Sequence, residues 1–258
     1  MPKETEDPKT AIAPVAAEGG LALFDASEIG AGFENTSQDD FKVPFISLLQ
    51  TLSPQCNPAK SQYLPDAKPG MFFDASTGEL MKDFEVVPCY YKRQMVEWKP
   101  DNAGFVAQHD PGFELNCEKD AKGFYHTKDG NLLIDTRYYF CLRMHADGET
   151  SMAILALSKT QIKRSKAWMS AMDSRTLDGP GGKKYKAPMY SATWKISSVI
   201  EQKGDWSWFG YKMELGKPVA SKELLDKLRG ARVTFQTVQV KPPVDVEAED
   251  AGSPTSTM

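Results

Sequence analysis

Apolar and polar positions alternate with a period of two along several stretches of this chain, as expected of strands with one covered face. Arg137 to Met144 alternates strictly, Tyr190 to Ile200 and Trp206 to Leu215 do so again, and Phe84 to Trp98 is dense in β-branched and aromatic residues. Turn residues connect them. Ala146-Asp147-Gly148-Glu149 leads from 137–144 into Ser151 to Leu157, and Lys203-Gly204-Asp205 leads into 206–215, two hairpin signals. Val233 to Val240 reads as a last strand. Two segments carry helical spacing instead. Ser158 is placed to cap a helix over Lys159 to Met172, and Ser221 to cap one over Lys222 to Arg229 that ends at Gly230. Many short strands with a helix between hairpins predict a mainly β fold with a minor α component. We expect an OB-like β-barrel with inserted hairpins and one or two helices.

Parity assigns faces. On 137–144, Tyr138, Phe140, Leu142 and Met144 share the expected core face, and Arg137, Tyr139, Cys141 and Arg143 the opposite one. A ring between two guanidiniums suits a platform for stacked bases; the plainer reading is an aromatic shielded by arginine stems. On 206–215, Phe209, Tyr211, Met213 and Leu215 point inward, leaving Trp206, Trp208 and Lys212 outward. Two outward indoles call for a ligand, a partner or a cover. Trp194 falls with Ala192 and Ile196 and is assigned to the core. In the first helix, Ile162, Ser165, Trp168, Met169 and Met172 share one face, which should pack on the barrel, and Lys159, Lys163 and Lys166 share another. A solvated helix face would account for one lysine stripe. The following Gly179-Pro180-Gly181-Gly182 loop ends in Lys183, Lys184 and Lys186, and from Ser158 to Lys195 there are 9 basic and 2 acidic residues. Tyr90-Tyr91-Lys92-Arg93 interleaves rings and cations on another strand.

Charge sharpens this picture. The formal net charge is -4, but residues 1–40 carry 2 basic and 9 acidic side chains, residues 244–258 none and 4, and residues 41–243 the remaining 29 and 22. A mildly basic domain over 41–243 thus lies between an acidic, flexible N-terminal arm over 1–40 and an acidic, disordered tail over 244–258. This asymmetry points to a polyanion, although acidic ends also serve solvation. No apolar run approaches the roughly 20 residues of a membrane span, and no secretory signal is visible at the start, so a cytoplasmic protein is expected. Four scattered cysteines suggest reduced thiols. Cys117, His126, Cys141 and His145 could supply zinc ligands, but no tight pair sits on a turn. The glycine loop is not a phosphate cradle, because Gly182-Lys183 is followed by Lys184 where a Ser or Thr is needed and the helix precedes it. No catalytic triad, HExxH or nucleophile elbow is readable. No enzyme activity and no cofactor are expected.

Phe41-Lys42-Val43-Pro44-Phe45-Ile46-Ser47-Leu48-Leu49-Gln50, Pro69-Gly70-Met71-Phe72, Thr77-Gly78-Glu79, Glu85-Val86-Val87-Pro88 and Glu97-Trp98, with the basic helix around Ala167-Trp168, resemble tailed-phage proteins. The order of elements is similar to OB-fold single-stranded-DNA-binding proteins of phages, over roughly 41–235. The resemblance implies binding of a displaced strand in phage replication or recombination, in the host cytoplasm. It also implies an acidic tail, here Asp245 to Asp250, that recruits replication or recombination proteins; Ser253 to Met258 depart from that pattern, being neither acidic nor ended by Phe. A homo-oligomer is compatible with it. The expected DNA-binding residues are Lys92, Arg93, Arg137, Tyr139, Arg143, Lys159, Lys163, Lys166, Lys183, Lys184, Lys186, Trp206, Trp208 and Lys212. The competing readings are a protein–protein module, either a virion component or an inhibitor of a host protein, and a nuclease or other DNA-processing enzyme.

Overall fold

The computed structural model describes residues 31, 32, 34, 35, 43–100, 104–238, 240 and 242. The expectations for the arm and tail lie almost wholly outside them. The main compact unit begins at Lys42. Its elements are, in chain order, β1 (Ile46–Leu48), β2 (Phe72–Asp74), β3 (Leu80–Met81), β4 (Asp83–Trp98), β5 (Phe105–His109), β6 (Glu118–Lys119), β7 (Tyr125–His126), β8 (Leu132–Met144), β9 (Thr150–Ser158), α1 (Ile162–Asp173), β10 (Thr176–Asp178), β11 (Lys184–Lys186), β12 (Ala192–Lys203), β13 (Trp206–Pro218) and α2 (Lys222–Thr237).

The two longest apolar-rich runs, β4 and β8, pair antiparallel over most of their length and form the spine of an eight-stranded sheet. Each shares its other edge between two partners in succession. β12 takes the start of β4 and β5 its end, while β7 takes the start of β8 and β9 the rest. Pro88 has no N–H to offer. The pairing with β12 stops at Val86, and the register with β8 shifts between Pro88 and Tyr90. Such a bulge bends a strand and adds twist, and the sheet is curled into a half-barrel. The two hairpins expected at Asp147-Gly148 and Gly204-Asp205 are present, with Gly148 at φ 88° and Gly204 at φ 60°, conformations that favour glycine.

The open side of the half-barrel is spanned by α1 and by the small sheet β1–β2–β3. Phe45 bridges Ile154 of β9, and the Tyr211 hydroxyl of β13 donates to the Ile46 carbonyl at 3.4 Å. Trp168 of α1 lies 4.4 Å from the Tyr139 ring and 6.0 Å from Trp194. The architecture is mainly β with two helices, consistent with the OB-like class expected from the alternation.

Two apolar clusters lie on opposite faces of the β4–β8 spine. One gathers Phe72, Val86, Tyr139, Leu155, Trp168, Trp194 and Ile196 beneath α1. The other gathers Phe45, Val96, Trp98, Tyr138, Phe140, Leu228 and Phe235 beneath α2. Trp194 is core, as its parity requires.

Two local expectations are corrected. The helix after β9 begins at Ile162, preceded by a 3₁₀ turn over Lys159–Gln161, and Ser158 makes no side-chain cap. Ser221 does cap α2, its hydroxyl accepting from the Leu224 N–H, but that helix runs through Gly230 to Thr237. The strand expected over 233–240 is therefore largely helix. Leu228, Ala231 and Phe235 recur at helical spacing and bury one face, with Phe235 5.4 Å from Phe140. That burial outweighs the β-propensity of Val233 and Thr234 and the roughly 1 kcal/mol cost of a helical glycine.

Candidate nucleic-acid interface

β13 is an edge strand, and β12 pairs with one side of it only. The register sets Ser207, Phe209, Tyr211 and Met213 beside Ile196, Ser198 and Ile200 on the side of the α1 cluster. The opposite face carries Trp206 across from Lys203, Trp208 across from Glu201, and Lys212 across from Ser197. Trp206 is 54% exposed and Trp208 is half-buried. Same-face residues on a strand stand about 6.6 Å apart, so the two indoles form a short aromatic step. Lys212 shares its charge with Glu214 at 2.9 Å.

An uncovered edge would invite another strand. Here two glutamine side chains occupy part of it. Gln50 accepts from the Phe209 N–H at 2.9 Å and donates to the Phe209 carbonyl at 3.0 Å. Gln161, in the turn before α1, donates to the same carbonyl at 3.1 Å and accepts from the Tyr211 N–H at 3.1 Å. One turn on, Arg164 donates to Glu201 at 2.5 Å. Glu201 lies against Gly210, where an added Cβ would stand 2.5 Å from the carboxylate oxygen and push that side chain aside. These contacts tie α1 and its entrance turn to the β12–β13 hairpin that carries the tryptophans.

Lys163 and Lys166 are exposed on α1 and have no ion-pair partner among the described residues. The β10–β11 hairpin is tied to the end of α1 by Lys186 and Asp173, and Lys184 pairs with Asp178 within the hairpin at 2.7 Å. Both acids of the 158–195 stretch are thus spent on hairpin lysines. Lys183 is exposed, also without an ion-pair partner among the described residues, and Tyr185 is 51% exposed between the lysines. The arrangement brings β13, α1 and the basic hairpin into one connected run.

Other expected site residues are placed elsewhere. Tyr139 is fully buried, and its hydroxyl meets Ser165 Oγ at 2.8 Å and the Ser165 carbonyl at 3.0 Å. It cannot stack a base, because α1 covers the face on which it lies. Arg143 is 7% exposed and grips Glu79 through two hydrogen bonds of 2.7 Å, with Asp74 3.7 Å away. Arg137 is largely covered and lies 3.5 Å from Asp135. The platform expected on β8 is therefore a core feature, and its arginines serve carboxylates of the fold. Arg93 makes a two-point contact with Asp135 at 2.9 and 3.0 Å but keeps a third of its side-chain surface exposed. Lys92 is half-buried on the α2 side of β4, across from Tyr138. Lys159 lies in the entrance turn rather than on the lysine stripe of α1.

Among the described residues no group of three or more His, Cys, Asp or Glu is placed to hold a metal. Burial pushes the Cys89 thiol up to about 12 and the Cys141 thiol well above its ordinary value, which suits packing rather than ligation. No described helix is long and apolar enough to cross a membrane. Arg164, Lys203 and Tyr185 join the surface without having been singled out by sequence. Tyr185 had a visible signal, a ring flanked by lysines; Arg164 had none, since its role depends on Glu201 of a distant strand.

The fold and this surface define a curled OB-like half-barrel with an aromatic and basic outer strand. Residues 16–241 match a family described as Pam3 phage gp34-like protein, and the chain belongs to that family of phage proteins. No curated protein and no solved structure matches it.

Proposed function

We propose that this phage protein binds single-stranded DNA with little sequence preference, during phage DNA replication or recombination in the host cytoplasm, and does no chemistry on it. The observation that carries the reading is the pair Trp206 and Trp208 on the outward face of β13, tied through Gln161 and Arg164 to the helix that bears Lys163 and Lys166. Sequence-tolerant single-strand binders combine stacking rings with a basic track for phosphates. Here Trp206 and Trp208 offer the rings, and Lys163, Lys166 and Lys183 the unpaired cations.

The test is fluorescence anisotropy of a labelled oligonucleotide at two salt concentrations. Each phosphate contact contributes about -0.7 to the slope of log K against log salt for a single strand. With three such cations the slope should lie near about -2, and the Lys163→Ala, Lys166→Ala, Lys183→Ala variant should flatten it. Salt-independent affinity, or none at low salt, overturns the reading. If the protein ignores DNA but captures a phage or host protein through Trp206, the interaction-module reading replaces it.

A further inference from the structure

A second feature lies on the α1 side of the β4–β8 spine, beyond the barrel core. Past the Tyr91–Tyr139 pair the strands carry Arg93, Arg137 and Asp135 on this face. There Arg93, Met95 and Asp135 floor a cleft of about 320 Å³, at the small end of ligand-sized cavities (about 300–1,000 Å³). Its walls come from two places: the entrance turn of α1, with Lys159, and the β6–β7 hairpin, with Phe124 and Tyr125. Glu114 closes one side.

Three observations set it apart from an ordinary surface crevice. The first is Lys159, the one described non-glycine residue with positive φ, at 47°. A left-handed conformation costs a side-chain-bearing residue roughly 1–2 kcal/mol, and such outliers cluster at functional sites. The second is the chemistry of the wall. Two rings and two cations, brought from residues 93, 124, 125 and 159, meet in one cleft. Lys119 lies 5.3 Å from the Tyr125 ring centroid. Asp135 occupies two of the five Arg93 donors and fixes the guanidinium plane, and among the described residues the remaining donors make only a 3.6 Å approach to Glu114. The third is the acceptor. Glu114 Oε2 is fixed by the Gly112 N–H at 2.7 Å, while among the described residues Oε1 has only that 3.6 Å approach of Arg93.

Resting on the single-strand reading, we propose that this cleft seats one unstacked nucleotide of the bound strand and prefers a base with an exocyclic amine. Tyr125 and Phe124 flank the base. Lys159 and the unspent side of Arg93 meet its phosphate. Glu114 accepts from the amine, which cytosine offers and thymine lacks. The rest of the interface is indifferent to sequence; this cleft is the one position that reads a base.

The experiment compares labelled dC and dT homopolymers of equal length by anisotropy at neutral pH, with wild-type protein, Glu114→Gln and Lys159→Gly. Wild type is expected to bind dC at least about fivefold tighter, the size of one base-edge contact. Glu114→Gln should shrink or reverse that preference by weakening dC and strengthening dT, since an amide is a weaker acceptor than a carboxylate and can turn its NH₂ toward the thymine O4. Lys159→Gly relieves the backbone and should raise Tm while weakening both oligonucleotides severalfold. Equal affinity of wild type for dC and dT overturns the cleft assignment and leaves the single-strand reading standing. A higher Tm with unchanged affinity in Lys159→Gly reduces the outlier to a feature of the turn, and also overturns it. Failure of wild type to bind either oligonucleotide overturns the single-strand reading itself.

Discussion

Strands β8 and β13 have nearly the same pattern, alternating rings with polar or charged side chains, and they end in opposite situations. On β8 both faces are covered: Tyr138 and Tyr139 are adjacent in sequence, point to opposite sides, and are each fully buried. α2 lies over one face and α1 over the other. On β13 only one face is covered, and Trp206 and Trp208 occupy the face away from the core. Alternation therefore reports that two faces differ but not which of them meets solvent; that depends on which other elements have an apolar side to bury.

The comparison can be broken most forcefully on β8. Tyr139→Ala should destabilise the protein by about 3–5 kcal/mol, as for other large aromatic truncations in a core, and denaturant melts would show it. Trp206→Ala should cost less than about 1 kcal/mol in the same melts, as befits an exposed residue. Equal costs would contradict the assignment of faces.

Next in size is Arg143. It is buried, while its partner Glu79 is nearly half exposed, so Arg143→Ala should cost about 2 kcal/mol, below the figure for a fully buried pair. The same pair sets a pH dependence. The hydrogen bond from Arg143 holds the Glu79 carboxyl below its ordinary 4.5. A carboxylate whose value is lower folded than unfolded contributes stability that is complete above the unfolded value and is lost as pH falls through the folded one. Tm should therefore drop on acidification below about pH 4.5, and Glu79→Gln should make that drop shallower. An unchanged acid limb would mean that other carboxylates govern it.

The smallest effect sharpens the other side. Gln161→Ala removes one of the two side chains that occupy the β13 edge, the one that ties the entrance turn of α1 to it. Stability should fall by about 1 kcal/mol, one or two lost hydrogen bonds, and hydrogen exchange at the Tyr211 amide should speed up while that at Tyr139 stays slow.

Much of this was readable in the sequence, and the misses share a cause. The hairpins announce themselves locally through Asp147-Gly148 and Gly204-Asp205, because turn chemistry is a property of two or three residues. The buried face of α1 was readable from Ser165, Trp168 and Met172. That Tyr139 is what α1 buries was not, since nothing near Tyr139 encodes a partner on a helix that follows another whole strand. The extent of α2 was hidden because Val233 and Thr234 favour strands and Gly230 looks like a helix end; only the apolar surface of Phe140 and its neighbours makes the longer helix worthwhile. Among the candidate site residues, the lysines of α1 and the β10–β11 hairpin and the outward tryptophans were accessible to pattern reading. The carboxylate partners of Arg93, Arg137 and Arg143 were not, because they come from other strands and loops. The cleft between Lys159 and Tyr125 depends likewise on the curl of the whole sheet.

The central claim is that Trp206 and Trp208 are the stacking face of a single-strand binder. It is tested most directly by titrating the protein with a dT oligonucleotide and following tryptophan emission. Of the five tryptophans, Trp98, Trp168 and Trp194 are buried at 4% exposure or less and serve as a constant background. The account predicts quenching at low salt that reverses at high salt, and that is absent from a Trp206→Ala, Trp208→Ala variant of near-wild-type Tm. No quenching at low salt, or the same quenching in the double variant, would contradict it.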